Sequence, residues 1–559
     1  MNVGIVVLLA SLLFQVVSAV SMSAYGEISR PGCYGLTSGP VEKCEEISCP
    51  GYYELTSDLI INRNTMLKYN IVSCIQINSP NVHLDCKNHT IKLVRDNDSE
   101  TVLSRLPTGI FVANSKNVTI TNCRIVGFDR GIYLEFSGYS TLRNNEMTDN
   151  RFGFGVFGTE EWHYINDVDE SNRVEGVPVF YKIKVQDSVY DSPYTNTFYC
   201  ISCRNVTLKK LEAKNNWFGV LFYNTQYSRI DSVSASYNGY AGIILQNSEN
   251  NIIESVTAKN NLQYGIDLWR SSRNVLSNST ASFNEYGIYL EASKDNILKN
   301  NRMDYNRYNF GVWDPNSSTG FMNNIDDSNL AGGKSILYLV RAKDLVVDGS
   351  NASTLYCTAC NNVTVENISA KNMMFGVIFV DSENCKAVNI TAENCGYGAY
   401  SRSSKNITFA KASLKACNAG VGLSRSEKNI IRDVNVENCK EGINLIQSKG
   451  NRLENITVDS ASFGIQLLNS DRNNLNNIGA KYCGYGLYIW KSNGNKADKG
   501  EIIGSRTCGV KIYRSEGNTV TNFNLSNEKN VCQDNPSLFS GFYASIQNFF
   551  TRILSLFKL

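Results

Sequence analysis

Histidine is almost missing from this chain: three residues in 559. So few imidazoles count against a histidine-rich metal site. Neither sign of charge is in surplus. The 54 basic and 52 acidic groups leave a formal charge of +2, so nucleic acid would find no basic excess to bind. Proline is scarce at 9 residues, against 41 glycines and an apolar fraction of 42%, and that balance excludes a disordered chain. A long apolar run covers residues 3–19 (VGIVVLLASLLFQVVSA), close to the minimum spanning length, without flanking charges and ending in small-x-small at Val17–Ser18–Ala19. It reads as a secretory signal peptide over 1–19, and export opens disulfide pairing to the 17 cysteines. Thirteen Asn-x-Ser/Thr sequons suit a secreted or cell-surface glycoprotein, although most fall in strings such as NVTI that a repeat generates.

What is abundant is periodic. Strings of the form G-[IV]-x-[LIVF]-x-x-S-x-x-N recur, as in GIILQNSENN from Gly242, GIDLWRSSRN from Gly265, GIYLEASKDN from Gly287 and GIQLLNSDRN from Gly464. The leading glycines at 376, 398, 420, 442, 464 and 486 are 22 residues apart each time. A unit this short with two or three alternating strands is one coil of a solenoid. Alternation sends residues one and three after the Gly inward (Ile266 and Leu268) and residues two and four outward. Parallel crossovers are right-handed by default. The expected fold is all-β: a right-handed parallel β-helix of about 22 residues per coil, with a short C-terminal amphipathic α-helix.

Two stretches break the spacing, Gly155 to Gly219 and Gly311 to Gly376, and they resemble one another. INDVDESNRVEGVPVFY (165–181) aligns with MNNIDDSNLAGGKSILY (322–338), and YCISCRNVT (199–207) with YCTACNNVT (356–364), at a shift of 157. The expected organisation is a signal peptide at 1–19, a Cys-rich cap and first coils at 20–105, the β-helix at 106–530 with duplicated lateral insertions at about 156–205 and 313–362, and a helix at 535–559.

This pattern resembles the parallel β-helix repeats of NosD-type proteins and of carbohydrate-binding and sugar-hydrolase (CASH) domains, as found in archaeal secreted and surface proteins. The opening YYELTSDLIINRN…CIQINSPNVHLDCKNHTI (53–91) is similar to the first coils of that family. The resemblance implies the fold, and through the NosD name it raises a copper-site accessory role. Copper needs convergent Cys, His or Met. His83, Asp85, Cys86 and His89 lie close in sequence, but one histidine falls in a turn and no Met is near, so neither a metal site nor a cofactor is expected.

The CxxC pairs Cys200/Cys203 and Cys357/Cys360 are seven coils apart, too far for a shared zinc site, and read as local disulfides or buried thiols. Cys395, Cys417, Cys439 and Cys483 share one column, read as buried free thiols or one vertical bridge. The Asn column at 251, 274, 296, 429, 451, 473, 495 and 518 is read as structural, with Asn taking the left-handed turn.

Two outward features carry chemistry. Asp267 and Glu291, on neighbouring coils and offset by two residues, are candidate catalytic carboxyls for a polysaccharide lyase, glycoside hydrolase or epimerase. GVWDPN (311–316) resembles the Asp-Pro-His segment of alginate-modifying β-helix enzymes, with Asn316 where His is expected. Tyr223, Trp269, Tyr289, Trp313, Tyr400, Tyr488 and Trp490 occupy two outward columns and are read either as sugar-binding platforms, because flat rings stack on the C–H faces of sugars, or as rings that stack between coils or lie under the duplicated insertions. The leading reading is a non-enzymatic secreted or cell-surface protein whose partner is a polysaccharide or cell-surface glycan.

A different grammar closes the chain. Leu538, Phe542, Ile546, Phe549, Ile553 and Leu556 follow three-four spacing, and Phe539, Tyr543, Phe550, Leu554 and Phe557 widen the apolar face. The segment 538–559 is expected either to cap the rod or to lie in a membrane interface, and its many Phe favour the interface.

Overall fold

The computed structural model describes residues 37–69, 71–94, 106–191 and 194–532. The expected signal peptide, Cys33 and the C-terminal helix lie outside the described residues. Apart from the six-residue helix Arg63–Lys68 and two 3₁₀ turns, the described elements are strands. Among the described residues no helix is long and apolar enough to cross a membrane.

One coil explains the repeat. Tyr264–Trp269 is followed by Val275–Ser277 and Thr280–Ser282, and each strand pairs in parallel with its counterpart one coil on. The register is Ile266↔Ile288, Asp267↔Tyr289, Leu268↔Leu290 and Trp269↔Glu291. Ile266 and Leu268 are fully buried, so the alternation read from the sequence holds. The leading glycine is steric. A Cβ on Gly265 would sit 2.7 Å from the Gly287 carbonyl oxygen and 2.8 Å from Asn284 Nδ2, inside the lumen.

Coil corners leave backbone groups outside the sheets, and the Ser and Asn of the motif satisfy them. The N–H of Ser248 donates to Ser271 Oγ at 3.0 Å, and that of Ser271 to Ser293 Oγ at 2.9 Å. The N–H of Asn251 donates to Asn274 Oδ1 at 2.9 Å, and Asn274 repeats the bond to Asn296 at 2.9 Å. The left-handed residue is the one before each ladder Asn, such as Asn250, Arg273 and Asp295, rather than the ladder Asn itself. Buried amides, not turn propensity, therefore select that column.

The chain forms three rods, residues 37–178, 180–331 and 334–532, joined at two equivalent places. The last strand of the first rod, Arg173–Val174, turns back antiparallel onto Val177–Pro178. Leu330–Ala331 does the same onto Lys334–Val340, which then opens the third rod by pairing with Ala352–Thr358. Phe154, an inward residue of the first rod's last coil, meets Tyr199 with ring centroids 5.6 Å apart. Tyr199 faces outward from the second rod, in register with Leu221, Ile244 and Asp267. Phe310 meets Tyr356 in the same way at 5.5 Å. Backbone bonds repeat too: Trp217 N–H donates to the Phe154 carbonyl at 2.9 Å, and Met374 N–H to that of Phe310 at 3.1 Å. The ends of the first and second rods are thus each closed by the outward face of the rod that follows, which removes the exposed edge a solenoid end would present.

This corrects the expected lateral insertions at 156–205 and 313–362. Those segments finish one rod, turn, and begin the next; they pad nothing.

The cysteines follow the same plan. Cys44–Cys74 and Cys86–Cys123 staple the first coils, Cys200–Cys203 and Cys357–Cys360 close on themselves where the second and third rods begin, and Cys508–Cys532 ties the last coils. Cys385, Cys395, Cys417, Cys439 and Cys483 are free and buried. The column is a stack of thiols, with Cys417 N–H donating to Cys439 Sγ at 3.2 Å.

Candidate functional site

The outward columns are not an open platform. Tyr223, Tyr289, Tyr400 and Tyr488 are 3%, 6%, 7% and 3% exposed, and Trp269, Trp313 and Trp490 are half-buried. The joints account for two of the tyrosines. Tyr223 packs on Tyr164 of the first joint at 4.5 Å, and Tyr400 lies 6.1 Å from Trp313 at the second. Tyr289 is enclosed by Tyr264 and Tyr286, and Tyr488 by Phe463 and Tyr485. For the four tyrosines the structure therefore has the second of the two expected arrangements, stacking between coils and cover at the joints.

Asp267 and Glu291 lie on the part of the second rod's outward face between the two joints. Gln246, one coil before Trp269, still bonds the first joint through the Gly158 carbonyl at 3.2 Å. Trp313, one coil after Glu291, stacks on Phe375 of the third rod at 6.0 Å. Asp267 is 4% exposed, and its Oδ1 has no hydrogen-bond partner. Loss of solvent, reinforced by Glu291, drives its carboxyl well above the usual range. Glu291 stands in register between Trp269 and Trp313 and is half-buried. Burial pushes it up to about 7, with Arg270 opposing and Asp314 reinforcing the shift. Both carboxyls are therefore pushed toward their neutral forms, and Glu291, at about 7, is partly ionised near neutral pH. Tyr240, Tyr264 and Tyr289 wall the pair, and their phenols are raised by burial and by these carboxyls.

The third rod shows that the fold does not require this pair. Counted from the joints, Tyr199 corresponds to Tyr356, and the register then places Gly422 where Asp267 stands and Ile446 where Glu291 stands. The joints come twice; the carboxyls come once.

Sequence reasoning missed a second cluster. At the corner between the third strand of one coil and the first strand of the next, Tyr237, Phe283 and Tyr305 are 58%, 55% and 75% exposed. A signal existed: other coils place Asn at this corner, as at Asn215, Asn260, Asn394 and Asn438.

A sequence profile described as "Periplasmic copper-binding protein (NosD)" matches residues 51–177, 171–331, 331–454 and 389–545. No curated protein matches the chain. Among solved structures, the periplasmic alginate epimerase AlgG is similar at 13% identity with a TM-score of 0.23, over 72% of this chain and 77% of that one. PfbA, a surface adhesin of Streptococcus pneumoniae, is similar at 12% identity and TM-score 0.20, over 76% and 84%. The tailspike of E. coli bacteriophage HK620, solved with a hexasaccharide, is similar at 11% and 0.24, over 78% and 73%.

The side chains do not fit a resident copper. His163 is buried, and its Nδ1 accepts the N–H groups of Thr159 and Glu160 at 3.1 and 3.0 Å. Its proton is therefore on Nε2, which becomes a donor rather than a ligand, and burial lowers the ring to about 4. Cys86 is consumed by its disulfide, His89 faces Asp58 at 3.3 Å, and Asp85 is held by Asn122 and Lys87. In the thiol column, the bond to Cys395 and burial push Cys417 up to about 12, against thiolate ligation. Among the described residues no three His, Cys, Asp or Glu converge on a metal position.

Proposed function

Because the chain belongs to the NosD family yet brings no copper ligand set together among its described residues, we propose that it is an exported β-helix protein that binds a glycan on the Asp267–Glu291 face of its second rod. The observation that carries this reading is the unpartnered Oδ1 of Asp267. A buried carboxyl oxygen without a hydrogen bond costs about 1–3 kcal/mol, and the third rod avoids the cost by placing Gly422 there. A ligand hydroxyl would satisfy it. Trp269 and Trp313, one coil to either side of Glu291, supply apolar faces for the C–H surface of a sugar ring, with Tyr289 behind them. Tyr223 and Tyr400 serve the joints and Tyr488 is enclosed by Phe463 and Tyr485, which leaves the half-buried Trp490, farther along the third rod, to extend the contact. The five disulfides formed within the described residues fit an oxidising compartment, and with it export.

One observation favours a second reading. Two raised carboxyls of unequal burial are the arrangement an acid–base pair needs, with Asp267 as proton donor and Glu291 as base in a hydrolase, lyase or epimerase. Incubation with a polysaccharide panel, scored for both retention and new reducing or unsaturated ends, separates the two. Retention without new ends, weakened in Trp269→Ala and Glu291→Gln, supports binding. Turnover lost in Asp267→Asn supports catalysis. Neither retention nor turnover on any polysaccharide refutes both.

A further inference from the structure

The corner column of the second rod carries bulky left-handed residues on three of four consecutive coils, where the third rod carries a single one, Tyr482, farther along. One residue per coil there is left-handed: Asn215, Tyr237, Asn260, Phe283 and Tyr305, at φ 58°, 60°, 55°, 58° and 59°. The third rod places Asn372, Asn394, Ala416, Asn438 and Ser460 at the matching corners. Asn visits this region readily, whereas a bulky side chain is disfavoured there. Three aromatics on four consecutive coils carry that cost while staying more than half exposed, so burial does not offset it.

Their arrangement is specific. Phe283 and Tyr305 stack in parallel, with centroids 5.2 Å apart and 6° between planes. Tyr237 stands two coils before Phe283, roughly 9.6 Å along the rod at about 4.8 Å per coil. Asn260 occupies the coil between, so the column lacks one ring there. Beside this gap, on its Tyr237 side, the first joint opens a cavity of about 230 Å³, bounded by Arg151, Asn215, Tyr237, Asn260 and Leu262 among others, with Phe283 outside its lining. Among the described residues the side-chain amide of Asn260 makes no hydrogen bond, and the Arg151 guanidinium, which lies 5.2 Å from the Phe152 ring, has no carboxylate partner.

We infer that this corner is a second ligand site, independent of the carboxyl face, and that it takes a pyranose ring of a glycan chain in the gap between Tyr237 and Phe283. A pyranose matches both surfaces of the gap. Its axial C–H faces stack on aromatic rings, and its rim of hydroxyls or a carboxylate reaches the Asn260 amide and the Arg151 guanidinium. Tyr305 continues the stack one coil farther and stiffens Phe283.

The test uses the full chain on a printed array of purified oligosaccharides covering neutral hexoses, N-acetylhexosamines and uronates, followed by calorimetric titration of the strongest binder. Tyr237→Asn and Phe283→Asn should each weaken that ligand at least tenfold. Tyr482→Asn, at the equivalent exposed corner of the third rod, should leave it unchanged. The Asn variants should melt at or above the parent temperature, because Asn suits a left-handed corner, so lost binding cannot be lost folding. Trp269→Ala and Glu291→Gln should not alter this ligand. The inference is overturned if no oligosaccharide binds, if the Tyr237→Asn/Phe283→Asn double variant binds like the parent, or if only the carboxyl-face variants lose the ligand.

Discussion

Glu291→Gln is the sharpest perturbation of the carboxyl face, because its effect on stability has a sign fixed by pH. In the folded chain the Glu291 carboxyl is raised from 4.5 to about 7. Between those values the unfolded chain has released the proton while the folded one keeps it. Fewer protons on the unfolded state mean that stability falls as pH rises through this window. The contribution is whole below about 4.5, declines from there to about 7, and is absent above. The full shift corresponds to about 3 kcal/mol at about 1.4 kcal/mol per unit; discounted for partial exposure, about 2 kcal/mol is expected.

Gln keeps the shape and cannot ionise. Urea denaturation of parent and variant at a series of pH values, followed by tryptophan fluorescence, isolates the residue together with its coupling to Asp267, since titrations remote from Glu291 cancel in the difference. The two chains should be nearly equal at pH 4, and the variant should be more stable by about 2 kcal/mol at pH 8, with the change centred in the window just given. A difference that stays flat, or one in which the parent gains on the variant as pH rises, refutes the assignment of Glu291 to a desolvated site.

The register predicts that Leu268→Asp unfolds the central coils, whereas Asp267→Asn is neutral or mildly stabilising; equal shifts in urea midpoint would reverse inside and outside. Gly265→Ala should lose about 1–3 kcal/mol, since its Cβ meets the Gly287 carbonyl and Asn284 with no flexible neighbour to yield, and an unchanged melting temperature would contradict this. Tyr356→Ala should cost about 3 kcal/mol and enlarge the radius of gyration in X-ray scattering by loosening the second joint; a chain of parental size and stability would deny the joint its role. Cys385, Cys395, Cys417, Cys439 and Cys483 should resist iodoacetamide in the native chain and react in denaturant, with labelling of the native protein as the contrary result.

The coil was legible because every rule that builds it is local. Ile266 and Leu268 alternate along one strand, Gly265 marks where a Cβ has no room, and Ser271 and Asn274 sit at corners whose backbone needs partners. All of this repeats within 22 or 23 residues. The joints were visible only as duplicated irregularity. Nothing local in YCISCRNVT says that Tyr199 will leave its own rod and close another, since that contact spans 45 residues and depends on where Phe154 ends its rod. The aromatic columns admit two readings in the sequence for the same reason. Alternation places Tyr223 and Tyr400 outward, and outward from a coil is not outward from the molecule once rods pack on one another.

The candidate sites follow from that packing. A joint is specified by both of its sides, so duplicating a rod together with its turn reproduces the joint, as the matched pairs Phe154–Tyr199 and Phe310–Tyr356 record. Whatever the joint needs must then appear twice, and whatever appears once is released from that requirement. Asp267 and Glu291 have Gly422 and Ile446 as counterparts, and Phe283 and Tyr305 have Asn438 and Ser460. Both exceptions sit on the second rod, and both carry a local cost: an unpartnered buried carboxyl in one, bulky left-handed corners in the other. A cost borne at one coil and absent from its counterpart is not required by the joint, and on that ground the second rod is the one to test first.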